Sequence, residues 1–256
     1  MEKFLEIKGK KIGQGKPLIC VPVMAKEKEE IVRQAKQLVE RKTDMIEWRV
    51  DAFSGAKSPN AIREVLEELN PMMSETILVY TFRSKKQGGL LQLSPEQISD
   101  IHLVAAESGV VDFIDVEVFE NGKPQKEIQN LKKYNTHVIG SHHDFAMTPD
   151  SGVIRMILEQ IQKSGADVVK LALMPNTPGD VLRLLEETNR FHEANPTRPL
   201  VTMSMGAYGG ISRVAGEYFG SCITFGAAEV ASAPGQFPMQ ELEMVLEILH
   251  KGITNE

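Results

Sequence analysis

Eight times along this chain a short apolar run is followed by a stretch whose apolar residues recur at helical spacing. The runs lie at 18–23, 45–50, 76–82, 111–116, 137–141, 166–174, 199–203 and 221–225. Helical spacing follows at 26–39, 58–69, 94–108, 125–133, 151–163 and 176–191, as a short turn at 211–214, and at 238–250. A strict strand-then-helix order requires parallel neighbours, because each helix carries the chain back across the sheet. Runs such as Leu18-Ile19-Cys20-Val21 are apolar throughout, as strands buried on both faces must be. Eight units of about thirty residues match an α/β fold of the (β/α)8 TIM-barrel type. A doubly wound sheet is the structural alternative. Phe4 to Ile12 alternates around Gly9, which predicts a β-hairpin within residues 1–16, ahead of the barrel. No composition break or low-complexity tract divides the chain, so residues 1–256 are expected to form a single barrel domain.

Charge and cysteine content narrow the functional classes. The formal net charge is -6, which argues against a nucleic-acid partner. An anionic small molecule would need a local cluster of arginines against that background. Cys20 and Cys222 form neither a disulfide framework nor a CxxC signature, so a reducing, cytoplasmic compartment is expected. The N-terminal residues contain no long apolar segment, so neither a signal peptide nor a membrane partner is expected.

A barrel places its chemistry at the carboxyl ends of its strands. The polar residues there are Glu47, Arg49 and Asp51, which strand alternation puts on one face. Next come Arg83 with Gln87-Gly88-Gly89, Asp115 and Glu117, then Ser141-His142-His143-Asp144. Lys170 sits in the sixth strand, Met203 and Met205 follow in the seventh, and Ser212-Arg213 comes after them. Ser232 to Gln236 is a small-residue loop after the eighth strand. Each has a plain alternative. The Glu47 cluster is equally a structural ion-pair network, and the methionines equally core fillers. His142 and His143 with Asp144 suggest a metal site, but adjacent strand residues face opposite ways. The glycines form neither dinucleotide nor P-loop fingerprints, so no nucleotide cofactor is expected.

Lys170 is the residue that most narrows the chemistry. It interrupts Ala166-Asp167-Val168-Val169-Lys170-Leu171-Ala172-Leu173, where apolar neighbours should desolvate its amine. An unprotonated amine is a nucleophile that forms imines with ketones. The alternative is a lysine that extends along the strand end into solvent. A lysine nucleophile, a histidine base and arginines for a carboxylate together suit carbonyl chemistry on a small anionic substrate.

Asp115-Val116-Glu117-Val118 and, after about twenty residues, Val138-Ile139-Gly140-Ser141-His142-His143-Asp144 resemble the active-site signature of type I 3-dehydroquinate dehydratases. Glu47-Trp48-Arg49, Phe82-Arg83-Ser84 with Gly88-Gly89, Val169-Lys170, Ser212-Arg213 and Ser232 with Gln236 match further motifs in the same order. The resemblance implies a cofactor-free and metal-free hydro-lyase of the shikimate pathway, a cytoplasmic homodimer that converts 3-dehydroquinate to 3-dehydroshikimate and water. It implies that Lys170 forms the imine and that His143 is the general acid and base. Arg213, Ser232 and Gln236 would hold the substrate carboxylate. Glu47, Arg49 and Arg83 would contact ring hydroxyls or keep the charges paired, and Met203 and Met205 would wall the ring. Two positions depart from the pattern. Gln87 stands where the family has a glutamate that orients the histidine, so His143 would be less basic, or Glu47 or another carboxylate would supply the charge. Pro22 stands where some members have serine. Other readings are a Schiff-base aldolase or transaldolase, disfavoured by the lack of a glycine-rich phosphate cup, a non-catalytic barrel, and a metal-dependent hydrolase.

Overall fold

The structure is a computed structural model that describes residues 4–120, 122–228 and 235–254. The chain opens with a hairpin of β1 (Leu5–Ile7) and β2 (Lys10–Ile12). Its two-residue turn, Lys8-Gly9, has φ of 49° and 74°, the left-handed pair that the twist of a tight hairpin prefers. Eight parallel strands follow: β3 (Leu18–Val23), β4 (Met45–Arg49), β5 (Ile77–Thr81), β6 (Phe113–Glu117), β7 (His137–Asp144), β8 (Val168–Leu173), β9 (Leu200–Ser204) and β10 (Ile223–Phe225). Each of β3 to β8 pairs with the next, and β10 pairs with β3. The ring closes where Cys222 N–H donates to the Leu200 carbonyl at 2.8 Å. This is the (β/α)8 barrel with its amino-terminal hairpin.

Helices α1 (Lys28–Glu40), α2 (Pro59–Leu69), α3 (Pro95–Glu107), α4 (Pro124–Leu131), α5 (Ser151–Lys163) and α6 (Pro178–Ala194) return the chain between strands. Ser94 caps α3 in a full capping box with Gln97, and Ser58 accepts from Ala61 N–H at α2, each with proline in the first turn. The seventh unit differs from expectation: two short helices, α7 (Gly210–Val214) and α8 (Gly216–Phe219), replace one turn. Ser212 fastens α7 to β9, accepting from Ser204 N–H at 2.9 Å and donating to the Gly209 carbonyl at 2.7 Å. The last helix is α9 (Met239–Thr254). Among the described residues, no helix is long and apolar enough to cross a membrane.

The period of two along each strand sorts its residues between two cores. Ile46 and Trp48, Ile114 and Val116, and Val169, Leu171 and Leu173 face the helices. Met45, Phe113, Val168 and Ala172 face the barrel axis. Ile7 and Ile12 of the hairpin join that interior core and cover its amino-terminal end. Above this apolar floor, the next inward positions are Glu47, Asp115 and Lys170.

Candidate active site

The inward polar layer opens into a pocket of about 580 Å³, lined by Glu47, Arg49, Arg83, Gln87, His143, Phe145, Lys170, Met203, Met205, Arg213, Phe225 and Gln236, among others. Its position at the carboxyl ends of the strands is the usual one for this fold. Of the residues to which the family resemblance gave a site role, all but Ser232 line this pocket, and Ser232 lies outside the described residues.

Lys170 is 3% exposed, but its surroundings correct the sequence expectation. The apolar residues beside it in sequence point at the helices. Its own ammonium donates to Asp115 Oδ2 at 2.9 Å and lies 3.7 Å from Glu47 Oε1. Nor can it extend into bulk solvent along its strand. Glu47 is held by the Thr81 hydroxyl at 2.9 Å.

Asp115 and Glu117 are the functional carboxylates that sequence reasoning left without a role. Arg83 donates to Asp115 Oδ1 at 3.0 Å, to Glu117 Oε1 at 2.9 Å and to Ser141 Oγ at 3.1 Å. Ser141 in turn donates to Asp115 at 2.5 Å. Burial pushes the Asp115 carboxyl up, but Arg83, Lys170, His143 and the Ser141 hydroxyl outweigh it and hold it well below the usual carboxylate range. Burial likewise opposes the charge on Arg83, and the surrounding carboxylates overcome it. A signal was present: two carboxylates two residues apart in Phe113-Ile114-Asp115-Val116-Glu117 share the inward face of an otherwise apolar strand.

Asp51 departs from the shared face expected for it. β4 ends at Arg49, and residues 50–52 form a 3₁₀ turn that swings Asp51 under the loop after β5. Its carboxylate takes both Arg49 Nε and Nη2, at 2.8 and 2.9 Å, and accepts from the backbone N–H groups of Arg83 and Leu90. Glu47 and Arg49 remain in the pocket lining.

β7 runs three residues beyond its predicted end, because Asp144 still pairs with Leu173 of β8. His142 and His143 therefore alternate. His142 turns outward, edge-on to Phe119 with ring centres 4.9 Å apart, and Asp144 accepts from the backbone of Ala146 and Met147. The two histidines and Asp144 thus diverge. His143 turns inward, where Gln87 Oε1 accepts from its backbone N–H at 2.9 Å and from ring Nδ1 at 3.1 Å. A carboxamide oxygen only accepts, so Nδ1 carries the proton and Nε2 keeps its lone pair. Burial, with the Arg83 and Lys170 charges, holds the imidazole well below the usual histidine range, and Asp115 opposes this. Asp115 is thus the carboxylate that acts on His143, while Glu47 serves Thr81 and Lys170. The double glycine shapes this loop. Gly88 has φ of 85° with Phe145 packed over it, and a Cβ at Gly89 would run into the Arg83 carbonyl.

Across the pocket, Arg213 is 1% exposed and Nη1 lies 3.9 Å from Met203 Sδ. Its backbone carbonyl accepts from Thr224 Oγ1 at 2.8 Å. Burial pushes this guanidinium down to about 10.

Fold and site together define a (β/α)8-barrel enzyme whose pocket presents a buried lysine, an uncharged imidazole and three buried arginines to a small molecule. A family model described as type I 3-dehydroquinase matches residues 19–253, and the chain belongs to that family of hydro-lyases, the type I 3-dehydroquinate dehydratases. It is 42% identical to the 3-dehydroquinate dehydratase of Clostridioides difficile (strain 630) over 255 residues, 99% of this chain and 100% of that protein. It is 40% identical to the Bacillus subtilis (strain 168) 3-dehydroquinate dehydratase over 248 residues, 96% of this chain and 97% of the relative. The crystal structure of type I 3-dehydroquinate dehydratase from Clostridium difficile is similar at a TM-score of 0.94 and 42% identity, covering 98% of this chain and 100% of that one.

Proposed function

We propose that this pocket dehydrates 3-dehydroquinate to 3-dehydroshikimate through an imine on Lys170, as a step of the shikimate route to aromatic amino acids. The observation that carries the reading is Lys170 Nζ at the inner end of the pocket, one strand away from an uncharged, oriented His143. The Clostridium difficile structure was solved with covalent modified comenic acid, and a relative that takes a carboxylic acid covalently supports a nucleophile here.

Before Nζ attacks, it must lose a proton. Asp115 stays anionic to low pH and is a poor acceptor, so His143 Nε2 takes it. Nζ adds to the C3 carbonyl, water leaves, and the nitrogen of the resulting imine is protonated. That cation draws electrons from the C2–H bond. His143 removes the C2 proton, the C1–O bond breaks, and His143 returns the proton to the departing hydroxyl as water. Hydrolysis of the imine consumes the water released at its formation and frees Lys170. The net loss is one water from C1 and C2.

Arg213 binds the substrate carboxylate, for which a guanidinium fork is suited, with Gln236 and Ser232 from the segment after β10. Met203 and Met205 pack against the ring. Arg49 and Glu47 reach its hydroxyls, and Arg83 keeps Asp115 and Glu117 paired. A reducing compartment and a homodimer belong to the same reading; light scattering of the full chain tests the latter. Borohydride added with 3-dehydroquinate is expected to leave a reduced adduct on Lys170 in a peptide map. Turnover that proceeds with no adduct at that residue would sink the imine.

A further inference from the structure

We infer that Phe225 is a positioning residue for the nucleophile: the face of its ring holds the positive charge of Lys170 Nζ and of the protonated imine that replaces it. This rests on the imine reading above. Nζ lies over the Phe225 ring at 4.6 Å from its centre, within the range where a cation is drawn to the negative face of an aromatic ring. The ring is 6% exposed and packs in the barrel interior with Ala172 and Met203, so little water competes for the ammonium there.

Barrel geometry explains why these groups meet. In a (β/α)8 barrel, alternate strands supply one layer of inward side chains. Glu47 comes from β4, Asp115 from β6, Lys170 from β8 and Phe225 from β10. Around Nζ stand the carboxylates of β4 and β6, at 3.7 and 2.9 Å, and the ring of β10, centred 4.6 Å away. The backbone that carries the ring is fixed on both sides. Thr224 Oγ1 donates to the Arg213 carbonyl at 2.8 Å, and Gly226 N–H donates to the Cys20 carbonyl at 3.1 Å.

The residue type matters because the charge on this nitrogen comes and goes. It is an ammonium at rest, an uncharged amine during attack and a cation again as the protonated imine. A third carboxylate would bring another full charge out of water and leave it uncompensated when the amine is uncharged. An aliphatic side chain would offer the cation nothing. An aromatic face attracts the cation, has no proton to exchange and tolerates the uncharged amine. In sequence, Phe225 reads as a core filler at the end of an apolar strand, which is why it was not among the expected site residues.

Ring fluorination tests this without changing the residue's shape. Phenylalanines bearing increasing numbers of fluorine are placed at position 225 of the full-length protein, with Phe225→Leu as the end point. Two quantities are read: the pH dependence of Lys170 acetylation by acetic anhydride in the substrate-free protein, and turnover of 3-dehydroquinate alongside the yield of borohydride-trapped adduct. Each added fluorine is expected to move the acetylation midpoint to lower pH and to slow turnover, by roughly tenfold across the series. A constant midpoint and constant turnover, with normal adduct formation, overturn the role of Phe225. No adduct in the unsubstituted protein overturns the imine reading and this inference with it, so the two failures are distinct.

Discussion

Arg83 and Arg213 line the same pocket and are almost equally buried, at 4% and 1% exposure, yet their surroundings push their acidities in opposite directions. Arg83 stands on the β5 side among Asp115, Glu117 and Glu47, and those carboxylates raise its pKa. Arg213 stands on the far side near Met203, and burial lowers its pKa to about 10. Desolvation of a guanidinium is costly in either place. On the β5 wall the protein's own carboxylates meet that cost, and in the proposed reading a substrate carboxylate is drawn to Arg213. In the proposed reading, Arg83 keeps the site folded and Arg213 recognises the substrate.

The largest expected effect breaks the first wall. Arg83→Met leaves Asp115 and Glu117 buried without their shared cation. It should lower unfolding stability by about 3–5 kcal/mol, read as a drop in the urea midpoint. If the midpoint stays where it was, the carboxylates have other support and the contrast between the walls fails. Arg213→Met comes second and should act on the substrate alone. KM is expected to rise by roughly ten- to a hundredfold, the loss of one charge-assisted contact, with the urea midpoint little changed. A collapse in stability with KM preserved would place Arg213 with Arg83 in a structural role.

The smallest effect sharpens the comparison at His143, which lies between the walls. In the proposed mechanism His143 must be uncharged, and its pKa is lowered in the folded protein, so activity should persist as pH falls through the usual histidine value of about 6.5 and be lost only below it. Gln87→Glu puts a carboxylate against Nδ1, favours the imidazolium and should move that acid limb up by about one unit. A limb that does not move would mean that Asp115 already sets the basicity of His143.

Much of this was legible in the chain. The strand-then-helix order specified the barrel, since each unit is a local pattern of apolar spacing and helix-start signals. The motifs around Glu47, Arg83, His143, Lys170 and Arg213 named most of the pocket lining for the same reason: strand ends are local features, and this fold places them at one end. Where reading stopped, the cause was spatial. The strand around Lys170 is buried on both faces, so its apolar neighbours hid the fact that its inward side meets Asp115 and Glu47. Asp51 left its expected face because the strand gave way to a 3₁₀ turn one residue before it. Asp115 and Phe225 are 55 residues from Lys170 on opposite sides in sequence, at a separation no local pattern spans.

The sequence by itself determined which residues are strand ends and which chemical groups they carry, because those follow from side-chain period and type within a few residues. Only the tertiary structure decided which groups touch: that Arg83 is enclosed by carboxylates, that Gln87 turns His143 Nε2 free, and that Lys170 meets two acids and a ring. Those contacts arise from closure of the sheet, which brings alternate strands into a common layer, and closure is a property of all eight strands at once.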